Sequence, residues 1–568
     1  MTDGTTDPGL ALVRGDPLES ETVLGALTLP GFLREVTARY ADREALVMYQ
    51  AGAGTERWSY AELWRRSMAV ARALVACGVG KDSRVGILMT NRLEWVSACF
   101  GITLAGGTVV GLSTFATPDE LEYLLRASAV SIVLYEPHVL AKDFTAILTD
   151  LEPGIASAAP GRLASLRFPF LRRLVAVGAA PGGAIEAWDA FLAHGDTVGE
   201  DIVAARAEAV KPADPALLFF SSGSTGKPKG ILNGHRGVNI QSWRWTRIYD
   251  FFNDPHPVRT WSANGLFWSG NFSIALGGTL AAGGTLILQR TFRPAETVAL
   301  MAAERVTFPY CWPHQWAQLE AEPAWPEADL SAFHYFDAEI NLRRPQRTIT
   351  TTWTDPRATY GSTETFTIST AYPVSAPREV WEGCNGGVLP GNTVRIVDPA
   401  SGETLRRGET GEIAVKGPTL MLGYIGIPSD EALDAEGFYR AGDGGYLDER
   451  GRLVFQGRIN DIIKTGGANV SPVEVDWTLC SCPGVKVCKT TGVPHETLGE
   501  IVVSCIVREE GRTLTEAEVI AWLKARLASY KVPRKVLFVE PGELDLTNTA
   551  KIKPAEARAL AMRKLAAA

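Results

Sequence analysis

The sequence has no excess of positive charge. Its 568 residues carry 56 Lys and Arg against 64 Asp and Glu, a formal net charge of −8. That balance argues against nucleic acid or an anionic membrane as the main partner, while leaving local basic sites for a phosphorylated ligand open. Paired cysteines are lacking too. The eight cysteines are scattered, and the closest group (Cys480, Cys482, Cys488 and Cys505) does not have the C-x2-C spacing of a zinc site. They read as buried or incidental thiols. The first ten residues have neither the basic nor the apolar segment of a secretory signal, so a reducing cytoplasm is the expected location. Apolar runs that could span a membrane are missing as well. Segments 96–116 and 261–289 are free of charge, but Gly106-Gly107, Gly277-Gly278 and Gly283-Gly284 interrupt them, so each reads as a buried helix followed by a buried strand. There is no internal repeat and no low-complexity segment.

What is present is a soluble, globular composition, 46% hydrophobic and 21% charged, on a chain long enough for two or more domains. Helical and extended patterns alternate through much of the first 390 residues. Segment 61–77 has helical spacing, 84–89 is extended, 93–105 helical, 108–112 extended, 118–127 an amphipathic helix opening on proline, and 131–135 extended. Such alternation implies parallel sheets covered by helices. Residues 154–183, rich in Ala, Gly and Pro, read as a surface excursion. Past Pro390 short strands with Gly turns (393–397, 412–416, 446–447, 453–456) suggest a small β-rich subdomain. After the polar stretch 457–461, a helix (474–480), two strands (485–493, 501–507) and a helix (516–528) suggest a separate α+β unit.

The segment that carries most chemistry is Phe219-Phe220-Ser221-Ser222-Gly223-Ser224-Thr225-Gly226-Lys227-Pro228-Lys229-Gly230. A buried strand over 216–220 leads into a turn rich in glycine, hydroxyls and ammonium groups. Glycine lets backbone N–H groups approach an anion, hydroxyls donate to phosphate oxygens, and lysines neutralise charge. A Walker-type loop needs Ser or Thr directly after its Gly-Lys pair; here Pro228 follows Lys227, so the magnesium-holding hydroxyl is missing. Four further segments follow. Tyr360-Gly361-Ser362-Thr363-Glu364 comes after a strand end and offers a ring, two hydroxyls and a carboxylate. Tyr439-Arg440-Ala441-Gly442-Asp443 places an Asp after a tight turn, suited to a ribose diol. Lys464-Thr465-Gly466-Gly467 opens a Gly-rich turn that leads, through Ser471-Pro472, into a capped helix. Lys551 lies in a Thr- and Lys-rich segment near the C-terminus.

In this order and spacing the five segments resemble the adenylate-forming superfamily of acyl-CoA synthetases, peptide-synthetase adenylation domains and luciferases, and most of all its acid:CoA ligases. The resemblance runs from Trp58 to Lys553. It implies an α/β fold: a large N-terminal domain, 1–459, of two βα-layered sheets plus a small β-rich subdomain, and a small mobile α+β domain, 460–568. It implies that Ser221, Ser222, Gly223, Ser224, Thr225, Gly226 and Lys229 hold the phosphates of ATP. Tyr360 would stack on adenine beside Gly361 and Ser362, with Thr363 near the α-phosphate and Glu364 on Mg²⁺. Asp443 would hold the ribose, Arg458 would make a second contact to ribose or phosphate, and Lys551 would bridge the carboxylate and the α-phosphate. The turn with Lys464, Gly466 and Gly467 would line the path of CoA, and the C-terminal domain would swing about Asn460. Catalysis would fall to Lys551, Glu364, Thr225 and Arg458. The expected reaction joins a small-molecule carboxylic acid first to AMP and then to CoA; an adenylate-former with another acceptor (an amine, a carrier protein or nitrite) is the alternative. The sequence leaves a homodimer open.

Four departures from the family's pattern stand out. Asn460 is uncharged where Asp or Lys is usual, and Ala550 precedes the lysine in place of Gly. Trp268 occupies the position of a common His, and Tyr335-Phe336-Asp337-Ala338-Glu339 replaces a Gly-Gly-Ala-Pro-like run. Trp268, Asp337, Ala338 and Glu339 are therefore the candidate substrate-binding residues, and the tryptophans nearby suggest a bulky apolar or aromatic acid. A carboxylate buried there needs a partner. His235, close behind the loop, reads equally as a structural histidine.

Overall fold

The computed structural model describes residues 9–50, 54–221, 228–337, 340, 342–348, 353–354, 358–465, 468–527, 529–540, 542–544 and 554–566. An eight-stranded sheet runs in the order Ile185–Ala187, Arg173–Ala176, Ile132–Tyr135, Arg84–Leu88, Thr108–Gly111, Pro215–Ser221, Lys229–Gly234 and Gly423–Tyr424. Its first six strands pair in parallel and the last two join antiparallel. A second sheet, Phe308–Tyr310, Arg259–Ser262, Thr285–Leu288, Glu44–Met48 and Glu56–Ser59, is parallel except for its last strand. Leu46 and Leu286 of this sheet share one apolar cluster with Val85, Val109 and Leu217 of the first, and Phe32, Leu63, Phe100 and Trp243 from helices fill the layer between them. That is the βα layering expected from the alternation.

Local chemistry sets the helix starts. Ser59 accepts from the Glu62 N–H at the head of Tyr60–Ala76, and Thr117 and Glu120 form a capping box ahead of Pro118–Ser128. Each charge-free stretch resolves as a helix and a strand: Leu93–Leu104 with Thr108–Gly111, and a helical run across residues 269–281 with Thr285–Leu288. The second run contains a π-helical turn, Phe272–Gly278, against the helix His235–Ile248. Gly277 permits that approach, since a Cβ there would lie 2.3 Å from Ser242 Oγ. No helix among the described residues is long and apolar enough to cross a membrane.

Two expectations need correction. Residues 154–183 are not merely a surface excursion: Ile155, Leu163, Phe168 and Leu171 are buried, and Arg173–Ala176 is an inner parallel strand. Single apolar residues dispersed among Gly and Pro carry no period, so the burial does not register as a pattern. The short strand expected at 446–447 is the end of a longer one, Tyr439–Leu447, in an antiparallel sheet with Leu12–Arg14, Thr393–Val397, Gly411–Lys416 and Leu453–Arg458. The last sheet joins Ala468–Val470, Ile463–Thr465, Gly499–Arg508 and Val485–His495, with Lys535–Phe538 parallel to Gly499–Arg508. The cysteines are all unbridged.

His235 serves the scaffold. Its Nδ1 accepts from the Leu29 N–H at 3.1 Å, and burial holds its ring down to about 4. The unfolded chain takes up a proton near the usual histidine value, whereas the folded chain does not until about 4. Stability therefore falls as pH drops from about 6.5 towards 4, by up to about 1.4 kcal/mol per pH unit from this group. Urea unfolding of His235→Gln across that range is expected to lose this portion of the pH slope.

Candidate active site

The Ser/Gly/Lys loop is the connection of a β-hairpin. Phe219 pairs with Ile231, Phe220 with Gly230 and Ser221 with Lys229, so the chain returns antiparallel and does not enter a helix. This topology excludes a Walker loop independently of the missing hydroxyl. Ser221 and Lys229 close the hairpin; Ser222, Gly223, Ser224, Thr225 and Gly226 lie outside the described residues. Lys229 Nζ sits 5.0 Å from the centre of the Tyr424 ring, a cation–π contact that holds the ammonium over the neighbouring strand.

Tyr424 leads to the next segment. Its hydroxyl donates to Glu364 Oε1 at 2.8 Å and lies 3.3 Å from Tyr439 Oη. Burial and the Glu364 charge push the Tyr424 phenol up, so it stays a donor. Glu364 belongs to a 3-10 turn, Thr363–Thr365, directly after the strand Thr359–Tyr360. Phe366 and Thr367 follow with φ of 46° and 95°, left-handed values that cost about 1–3 kcal/mol each for residues with a Cβ. This turn sends the chain back so that the Ser369 N–H donates to Tyr360 O at 2.7 Å. Gly361 is required here: a Cβ would lie 2.0 Å from Thr367 O. The buried Phe366 ring, stacked 6.3 Å from Phe219, offsets part of the strain by burial.

Asp443 joins this turn to the antiparallel sheet. It lies within Tyr439–Leu447, not after a turn, at a bulge where Glu412 faces Gly444 and Ala414 faces Arg440. Gly442 takes φ of 67° in the bulge, and its N–H donates to Glu412 Oε1 at 3.0 Å. Asp443 as a residue is 5% exposed. Tyr360 Oη donates to Oδ2 at 2.7 Å, and Arg458 Nε pairs with Oδ1 at 3.1 Å. Burial raises the Asp443 pKa, with Arg458 and Tyr360 acting against it. Arg458 Nη1 also donates to Ala441 O at 2.7 Å.

The Trp268 segment abuts the same turn, where Ser269 Oγ donates to Thr363 Oγ1 at 3.3 Å. Trp268 stacks on Phe115 with centroids 5.9 Å apart and planes 14° apart, and Phe267 meets it edge-on at 5.1 Å. Tyr335 and Phe336 are buried, whereas Asp337 is half-buried and its backbone carbonyl accepts from Arg344 Nη2 at 3.2 Å. Ala338 and Glu339 lie outside the described residues, as do Gly466, Gly467, Ala550 and Lys551. Lys464 is exposed in Ile463–Thr465, and its backbone N–H donates to Glu500 Oε2, apart from the contacts around Asp443. Asn460 lies in a 3-10 turn, Ile459–Asp461, immediately after Arg458.

The structure thus joins Tyr360, Glu364, Asp443 and Arg458, adds Lys229 through Tyr424, and brings Ser269, next to Trp268, against Thr363. Sequence reasoning missed Tyr424, Glu412 and Ser269. Tyr424 sits on a two-residue edge strand whose one signal was an aromatic ring among glycines, and the Glu412 carboxylate accepts from a backbone N–H at a bulge that no local pattern reveals. An oxygen-rich set (Glu364 carboxylate, Thr363 hydroxyl) suits a hard cation such as Mg²⁺.

The family profile described as AMP-binding enzyme matches residues 33–425, and that of the AMP-binding enzyme C-terminal domain matches residues 474–551. The chain belongs to the AMP-binding enzymes. It is an adenylate-forming ligase by family, most like the acid:CoA ligases. The indoleacetate–CoA ligase of Aromatoleum aromaticum is 30% identical over 512 residues, covering 89% of this chain and 94% of that protein. The mitochondrial medium-chain acyl-CoA ligase ACSF2 of Danio rerio is 29% identical over 549 residues, covering 94% and 88%. Among solved structures, apo MatB from Rhodopseudomonas palustris aligns with a TM-score of 0.68 at 27% identity, covering 94% of this chain and 99% of that one. AMP-binding enzymes of this kind use ATP and CoA.

Tyr360→Phe removes the donor to a buried carboxylate oxygen. The expected loss is about 1–3 kcal/mol in urea unfolding, with the Asp443 carboxyl titrating higher still by ¹³C NMR.

Proposed function

We propose that this chain activates a bulky apolar or aromatic carboxylic acid with ATP, releasing pyrophosphate, and passes the acyl group from the adenylate to the thiol of CoA. The observation that carries the reading is the shared anchoring of Asp443 by Tyr360 and Arg458, with Glu364 four residues beyond Tyr360 on the same turn. In this reading Asp443 accepts from a ribose diol and Tyr360 stacks on adenine. A carboxylate is a poor nucleophile toward a polyanion that repels it. Lys229, the hairpin-loop donors and Lys551 would offset the charge that develops in an in-line displacement at the α-phosphate. Mg²⁺, for which Glu364 is the proposed protein ligand, supplies further positive charge to the phosphates when bound.

Residues 460–568 act in this reading as a domain that alternates about Asn460, presenting Lys551 for adenylation and the Lys464–Gly467 turn for thiolation. Trp268, with Phe115 and Phe267, supports a flat or bulky acyl group, and Asp337 and Glu339 support a polar substituent on it. The names of the indoleacetate and medium-chain relatives fit an apolar acid.

The test is pyrophosphate release across fatty, aryl and amino-aryl acids, with and without CoA. Pyrophosphate is expected with one class of acid, and AMP and acyl-CoA are expected in equal amounts once CoA is added. Release without CoA consumption, but with an amine acceptor, would replace the second half-reaction; no release with any acid would sink the whole reading. Lys551→Ala is expected to lower adenylation by about 10²-fold or more, from the size of a lost charge-stabilising contact. Unaltered adenylation in that variant would remove Lys551 from the mechanism. Trp268→Ala is expected to raise KM for the preferred acid about 10-fold while leaving KM for ATP in place.

A further inference from the structure

The C-terminal sheet and its helix carry two thiols that adenylate chemistry does not use. Cys480 ends the helix Pro472–Cys480 and is the exposed member of the eight cysteines. Cys488 is buried in the facing strand Val485–His495. Their sulfur atoms lie 3.8 Å apart, in contact but unbonded. A disulfide needs a sulfur separation of about 2.05 Å, so bond formation asks for an approach of less than 2 Å. The terminal residue of a helix can supply that movement by side-chain rotation and fraying.

The two thiols differ in a way that divides the labour of oxidation. A hydrogen bond from Cys488 holds the Cys480 thiol below its ordinary value, and the Lys489 ammonium acts in the same direction against burial and the Asp476 carboxylate. Cys488 is pushed up by Cys480 and by burial, and its Sγ lies 3.5 Å from the Asp476 carbonyl. Lys489 and Asp476 are themselves paired at 2.7 Å. The exposed sulfur is therefore the readier thiolate, and the protonated one waits beside it. Cys482, two residues further on, is buried, and its thiol is raised by burial.

We propose that Cys480 and Cys488 are a redox-modification site, closing to a reversible disulfide when the protein meets hydrogen peroxide. The Cys480 thiolate attacks one peroxide oxygen; the O–O bond breaks, and hydroxide leaves and takes up a proton as water. The sulfenic acid so formed is attacked at sulfur by Cys488; the S–O bond breaks and the second water leaves with the Cys488 proton. The two sulfurs have then lost two electrons to the peroxide, and a dithiol reductant restores them. The bond would tie the end of the helix that follows the Lys464–Val470 hairpin to the strand beneath it.

The test is peptide mapping of the full chain after a few equivalents of hydrogen peroxide at neutral pH, with free thiols then alkylated under denaturing conditions. The expected result is a cross-linked peptide pair containing Cys480 and Cys488, a mass loss of two hydrogens, and reversal by dithiothreitol. Cys482→Ala is expected to leave the cross-link in place. In Cys488→Ala the sulfenic acid is expected to persist at Cys480, where dimedone traps it. Sulfinic or sulfonic acid at Cys480 of the wild-type chain without a cross-link, pairing of Cys480 with Cys482, or both thiols still alkylated after peroxide would each overturn the proposal. Mapping of the unsubstituted chain decides the matter even where a variant folds poorly.

Discussion

Asp443 is a carboxylate taken almost wholly out of water, and several segments are arranged around its needs. A buried charge of this kind is tolerated when it is paired and hydrogen-bonded. Tyr360 ends the strand that leads into the Glu364 turn, and Arg458 is the last residue before the Ile459–Asp461 turn. Glu412 holds the bulge from the neighbouring strand. Through this one group the position of the Glu364 turn, the antiparallel sheet and the start of the C-terminal unit are coupled. Breaking either partner would leave charge stranded in a low-dielectric site, so the three segments keep their register together.

The second constraint is the change of direction in the eight-stranded sheet. Parallel neighbours need crossover connections, whereas the step from Pro215–Ser221 to Lys229–Gly234 is a hairpin. The loop is thus held by a ladder on both sides, and the strand that it returns through pairs with Gly423–Tyr424. Tyr424 then touches both Lys229 and Glu364. A cation from the loop and a carboxylate from a segment 135 positions later meet over one phenol because the returning strand pairs with the edge strand Gly423–Tyr424.

Much of this was legible beforehand because it is local chemistry. The helix read over 61–77, the buried strand before the loop, and the capped helix after Ser471-Pro472 follow from spacing, capping residues and apolar runs. The candidate residues Tyr360, Glu364, Asp443 and Arg458 were found as members of short segments. Glu412, Tyr424 and Ser269 were not, because each acts through a partner more than 25 positions away. The strand Arg173–Ala176 was lost in a region of Gly and Pro whose apolar residues have no regular period. Asp443 was placed after a turn because its flanking glycine suggested one; the bulge needs that glycine for the same positive φ.

The sequence by itself determined that the chain alternates helices and strands, that its Gly/Ser/Lys loop is not a Walker loop, and that it belongs among adenylate-forming proteins. These rest on residue types and on spacings within a few positions, where backbone sterics and hydrogen-bonding capacity decide. Tertiary structure decided which side chains share a carboxylate, which ring stands over which ammonium, and that two thiols eight positions apart lie in contact. Those are matters of strand order and packing, set by burial summed over the whole chain, and no short segment contains them.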